Sequence, residues 1–120
     1  MISINYRDSR PIYEQVRDNF RDLIISGALP PDYKMPSVRE LASKLAINPN
    51  TIQRAYRELE NEGYIASVPG KGSFVSPNEE TVRRHVNELE EKLYSLAQEL
   101  RGLGVDEERL IEIIKRRRDK

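Results

Sequence analysis

The 120-residue chain has no cysteine, a single histidine (His85) and no net charge. Without cysteine there is no disulfide, no thiol nucleophile and no Cys-ligated zinc. His85 stands beside a run of regularly spaced apolar residues, and it is expected to be solvated rather than to bind metal. No apolar run approaches the length that spans a bilayer. The opening MISINYRDSR lacks the core of a secretory signal, so a cytoplasmic location and no membrane partner are expected. Lys+Arg and Asp+Glu number 20 each, so bulk charge advertises no nucleic acid, and any basic footprint has to be local. No nucleophile–base pairing, phosphate loop or metal-spaced cluster is present, so neither catalysis nor a cofactor is expected.

What is present is a strongly patterned small protein. A third of the residues are charged and the apolar fraction is modest, which fits a thin core that gains from a partner surface. After the extended ISIN, Pro11 suits a helix start, and Ile12, Val16, Phe20, Leu23 and Ile24 recur at helical spacing. Ser26-Gly27 stops that helix, and a loop with Pro30, Pro31 and Pro36 follows. Ser37, three residues before Glu40, forms a capping-box pattern ahead of Val38, Leu41, Ala42 and Leu45. Ala46-Ile47 make a tight turn. Asn48 can cap the next helix and Pro49 fits its first turn, with Ile52, Ala55, Tyr56 and Leu59 facing inward. Gly63 suits the left-handed residue that ends it. Two β-type runs, Tyr64–Val68 and Ser73–Val75, flank Pro69-Gly70-Lys71-Gly72 and predict a hairpin.

Helix, helix, turn, helix, hairpin is the order of a winged helix-turn-helix, in which the helix after the tight turn enters the DNA major groove. The expected fold is therefore mainly α with a small β-hairpin. Residues 36–57 carry Arg39, Lys44, Arg54 and Arg57 against Glu40 alone, a local net of +3. The basic footprint thus falls on the helix-turn-helix of a neutral chain.

The stretch MPSVRELASKLAINPNTIQRAYRELENEGYI, with PGKGSFV after it and ISGAL before it, resembles the DNA-binding domain of GntR-family transcription regulators. The motif covers residues 11–75. The tail of about 44 residues resembles the short-tailed YtrA-type branch. Three positions depart from the pattern: Pro31-Asp32 stands for Pro-Gly, Met35-Pro36-Ser37 for Leu-Pro-Ser, and Gln53 for an arginine common in relatives. The last leaves base preference open. The resemblance implies a homodimeric repressor that binds a double-stranded, inverted-repeat operator through the helix at 49–62 and the hairpin at 64–75.

The candidate DNA contacts each have a plainer alternative. Asn48, Asn50 and Thr51 stand at a helix N-terminus, whose free N–H groups and dipole suit phosphate, although Asn48 can serve as a cap alone. Gln53 can pair with adenine through two hydrogen bonds, or it is a solvated surface glutamine. Arg54 and Arg57 lie on the same outer side, and Arg57 could instead pair with Glu58, Glu60 or Asn61. Arg39 is placed by the family motif at a common contact position, or else it pairs with Glu40. Ser37 caps first and touches phosphate second. Lys71, between Gly70 and Gly72, can follow phosphate or enter a minor groove, or it is a solvated turn.

Ser76-Pro77-Asn78 breaks the chain. Beyond it Val82, Val86, Leu89, Leu93, Leu96, Leu100 and Leu103 alternate steps of four and three, a heptad seam interrupted by Gly102 and Gly104. Asp106 can cap a last helix with Leu110, Ile111, Ile113 and Ile114. The expected division is a DNA-binding domain at 1–76 and a two-helix dimerisation segment at 77–120. The run Lys115-Arg116-Arg117-Arg118 either complements the negative end of that helix or touches DNA. A protein-docking winged helix is the competing class, disfavoured by Gln53, Arg54 and Arg57. An aminotransferase-like fusion, known among relatives, has no room here. No effector is legible.

Overall fold

Local chemistry sets each helix boundary. A computed structural model of the protein describes residues 2–116. In helix α1 (Ile12–Ile25), the extended Pro11 accepts at its carbonyl from the N–H groups of Glu14 and Gln15. Gly27, at φ 84°, closes its far end. Helix α2 (Val38–Leu45) has the full capping box, with the Ser37 hydroxyl accepting from Glu40 N at 3.1 Å and the Glu40 carboxylate accepting from Ser37 N at 3.4 Å. It ends at Ala46, in the left-handed conformation, and Ile47 N donates back to Ala42 O at 2.9 Å. Helix α3 (Pro49–Asn61) begins at Asn48, whose Oδ1 accepts from Asn50 N at 2.8 Å.

Strands β1 (Ile65–Val68) and β2 (Gly72–Val75) form an antiparallel hairpin in the register Ile65↔Val75 to Val68↔Gly72. Lys71 N donates to Val68 O at 2.9 Å, with Pro69 and a positive-φ Gly70 (76°) between them. Those residues in that order make a type II turn. Gly72, expected inside the turn, instead opens β2, and Tyr64, expected in the strand, precedes β1. A third edge was not legible. Residues 32–35, expected as loop, pair with the free side of β2 through Asp32 N to Val75 O, Val75 N to Tyr33 O and Met35 N to Ser73 O, at 2.8–2.9 Å. Asp32 takes φ 70°, the left-handed backbone that the Pro-Gly of relatives supplies more cheaply.

The core lies where α1 and α3 face each other and the hairpin closes over them. Val16, Phe20, Ile52, Leu59 and Val75 are fully buried. Each contributes roughly 1.5–3 kcal/mol by burial, more than any exposed ion pair at about 0–1 kcal/mol. Phe20 meets Tyr56 edge to face at 5.8 Å, and the Tyr56 hydroxyl donates to Pro36 O at 2.7 Å, so α3 is tied to the start of α2. Burial pushes the Tyr56 phenol pKa up, with Tyr33 and Glu40 adding to the effect. The buried Gln15 amide and the Asn5 backbone exchange two hydrogen bonds, 2.9 and 3.0 Å, and this holds the N-terminal segment on α1.

The chain forms two compact units, and the first ends at Val82 rather than at Ser76. Ser76 N still donates to Tyr64 O, and Thr81 is buried beside Gly63. The first turn of helix α4 (Glu79–Gly102) therefore belongs to the first unit. The second unit continues α4 and adds helix α5 (Glu107–Lys115), capped by the Asp106 carboxylate on Arg109 N. Arg117 and Arg118 lie outside the described residues. From 83 to 116 no described residue is buried. Val86, Leu89, Leu93 and Leu96 are 44–57 % exposed, whereas Val82 and Leu100 are half-buried. Leu103 falls just past the end of α4 and so leaves the helical seam. Among the described residues, no helix is long and apolar enough to cross a membrane.

Candidate nucleic-acid interface

Helix α3 buries Ile52, Ala55, Tyr56 and Leu59, and this fixes which side chains look outward. Asn50, Gln53 and Arg57 follow at intervals of three and four, which places them along one stripe of a helix. All three are exposed. Asn48 serves as the cap, and Thr51 is half-buried behind it.

Arg54 turns away from that stripe. Its guanidinium lies 3.8 Å from the centroid of the Tyr13 ring on α1, donates to the Tyr13 hydroxyl at 3.1 Å and approaches Glu58 at 3.7 Å. Arg54 and Arg57 are three residues apart and both exposed, so they leave the helix on the same outer side, but Tyr13 offers the Arg54 guanidinium a π face and a hydroxyl on α1. Glu58 in turn accepts from Arg17 at 2.6 Å. Desolvation disfavours the charge of Arg17, but the hydrogen bonds it donates to Glu58 and Asp18 outweigh that and raise its pKa. Arg21 lies 3.8 Å from Glu62, and the Glu60 carboxylate accepts from Ser67 N.

These contacts bear on the alternative for Arg57. Glu58 is held by Arg17 and Arg54, and Glu60 by the β1 backbone, so Arg57 has no ion-pair partner among the described residues. The same logic frees Arg39. Glu40 is engaged in the capping box, and Arg39 is exposed with no ion pair among the described residues. Glu58 and Glu62, at the end of α3, thus face cations of α1, while the outer stripe keeps Arg57 without an ion pair among the described residues.

The wing adds a second surface. Gly70 and Lys71 are exposed at the hairpin tip. A groove of about 350 Å³ gathers Ser37, Lys71, Gly72 and Ser73 with Lys34 from the preceding edge. Ser37, Lys71 and Gly72 are thus brought together, while Arg39, Gln53 and Arg57 lie outside that groove. Free ammonium and guanidinium groups suit phosphate, and amides suit base edges in the major groove. His85, expected to be solvated, has a side chain only 11 % exposed, with Nδ1 3.9 Å from Glu88. No group of three or more metal-ligating side chains occurs among the described residues.

The family model for bacterial regulatory proteins of the gntR family matches residues 12–75, more than half of the chain. The chain belongs to the GntR family. It is similar to the HTH-type transcriptional repressor YtrA of Bacillus subtilis (strain 168), with 42 % identity across 96 % of this chain and 90 % of the relative. A GntR-family regulator from Listeria monocytogenes superposes with a TM-score of 0.77 at 36 % identity, covering 92 % of this chain and 98 % of that one. The AraR DNA-binding domain, solved in complex with an operator, matches with a TM-score of 0.54 at 31 % identity over 62 % of this chain and 89 % of that one. This GntR-family chain is a DNA-binding transcription regulator with a winged helix-turn-helix, and not an enzyme.

Neither Tyr13 nor Lys34 carries a signal in the sequence. Tyr13 meets Arg54 across 41 residues of chain, and only the packing of α1 on α3 creates the contact. Lys34 looked like one polar residue in a proline-rich loop.

Proposed function

We propose that the chain is a cytoplasmic, homodimeric repressor that binds an inverted-repeat operator. Unit one would read a half-site through Asn50, Gln53 and Arg57, with Arg39, Lys71 and the Gly70 and Gly72 backbone on phosphate and Ser37, Asn48 and Thr51 supporting the helix ends. Arg54 acts from the side, stacked on Tyr13. The tail would pair with a second copy. The observation that carries this reading is the apolar seam on α4, in a unit where no described residue is buried. A helix with Val and Leu at alternating four and three spacing is stabilised by a facing helix. A twofold pair then presents two α3 helices to half-sites about one helical turn apart. The repressor sense is supported by the similarity to YtrA.

Base reading is tested at Gln53. Gln53→Ala is expected to cost roughly 1–3 kcal/mol per half-site and to relax preference at one base pair. Gln53→Arg is expected to shift that pair toward guanine, whose two major-groove acceptors match a guanidinium. The fold should survive, because Gln53 is exposed and off the Ile52–Tyr56–Leu59 face. Binding to duplexes varied at each position, at fixed salt, decides the matter. If both variants keep the wild-type preference everywhere, reading by Gln53 is wrong.

A further inference from the structure

We propose that Lys34 is a second phosphate-binding residue of the wing, paired with Lys71 across one groove and delivered there by Gly72. The inference rests on the DNA-binding face assigned above to α3 and the wing. Residues 32–35 are an extra edge on β2, bridged at Lys34↔Phe74 and fixed by Met35 N to Ser73 O at 2.8 Å. This edge sets the Lys34 backbone against the hairpin instead of leaving it in a free loop. The Lys34 stem then crosses Gly72, with Cε 3.3 Å from the point where a Cβ on residue 72 would sit. Any side chain at 72 would crowd that path, so the glycine makes room for lysine as well as supplying φ 111°. By contrast, a Cβ on Gly70 would meet nothing within 4 Å.

Lys34 and Lys71 both line the 350 Å³ groove, together with Ser37 and Ser73. Both lysines are exposed, and neither has an ion-pair partner among the described residues. The one acidic residue lining the groove, Glu40, is held by the Ser37 backbone N–H. Two ammonium groups without ion-pair partners and two hydroxyls, against one carboxylate, leave the groove net positive and fit the oxygens of a nucleic-acid backbone phosphate, which carries negative charge and accepts several hydrogen bonds. No base edge is implied, because an ammonium on a flexible stem is a point charge without a directional pattern.

The test is equilibrium binding of the full chain to a duplex it selects, across a salt series, with Lys34→Gln, Lys34→Arg and Lys71→Gln. For a dimer, Lys34→Gln should make the slope of log K against log salt shallower by about 1.8, one phosphate per chain. It should also weaken binding roughly tenfold per half-site at about 0.1 M salt. Base preference should stay as in wild type, and Lys34→Arg should restore the slope. A role in folding alone would lower the thermal midpoint and leave the slope unchanged. An unchanged slope for Lys34→Gln, while Gln53→Ala still relaxes base preference, overturns the role of Lys34 and leaves the reading face intact. If neither variant alters slope or preference, both assignments fall.

Discussion

Replacing Leu89 and Leu96 with glutamate should turn the chain into a monomer at micromolar concentration and weaken operator binding at least ~100-fold. The two leucines are 49 % and 57 % exposed, on a helix that contributes no buried residue after Thr81. Glutamate keeps helix propensity close to that of leucine, so α4 should persist while its seam carries charge. Two linked half-site contacts then become two independent ones, and the effective concentration that coupled them disappears. The first unit should melt as before, because residues 89 and 96 lie outside it. Sedimentation of the variant beside the wild type, followed by operator titration, reads both effects. A variant that remains dimeric would move the interface elsewhere. Truncation is a companion test only if cut after residue 82, since a cut at 76 would remove the Thr81 contact as well.

Gly63→Ala should destabilise the first unit by roughly 2–4 kcal/mol. Gly63 links α3 to β1 at φ 88°, and a left-handed backbone costs an L-residue about 1–2 kcal/mol by itself. Its added Cβ would also stand 2.8 Å from Thr81 Oγ1, and Thr81 is buried. A β-branched side chain in a helix has few rotamers to retreat into. The two parts separate in a double-mutant cycle. With Thr81→Ala in the background, the steric part should vanish, since no other atom group lies close to that Cβ, while the backbone part stays. Chemical denaturation of the four proteins gives the coupling. A cycle with no coupling would mean that α4 does not seat on the end of α3. That seat has a functional consequence: α3 and the first turn of α4 would loosen together.

Much of this molecule is written within four residues of where it acts. The Ser37–Glu40 box, the Asn48 cap, Gly63 and the Pro69-Gly70 turn are local hydrogen-bond or backbone solutions, and the residue types announce them. The inward face of α3 and the seam on α4 follow from helical spacing. The fates of the charged side chains do not follow from it. Arg57 is free because Arg17, 41 residues before Glu58, takes that carboxylate. Arg54 is bound because Tyr13 sits opposite it once α1 packs on α3. The edge at 32–35 depends on β2, formed some forty residues later, so its residues look like loop until the hairpin exists. Ending the first unit at Val82 includes Thr81, buried beside Gly63, and no short sequence pattern connects those two residues. The buried Gln15 reads as an ordinary polar helix residue until the Asn5 backbone meets it.

Selection of bound duplexes from a random pool by the full chain tests the dimeric, α3-centred reading most directly. The expected result is enrichment of an inverted repeat whose half-site centres lie about 10 base pairs, or a multiple, apart. One position in each half-site should lose its preference when the selection is repeated with Gln53→Ala. Enrichment of a single unpaired half-site, or of no sequence at all, would contradict it.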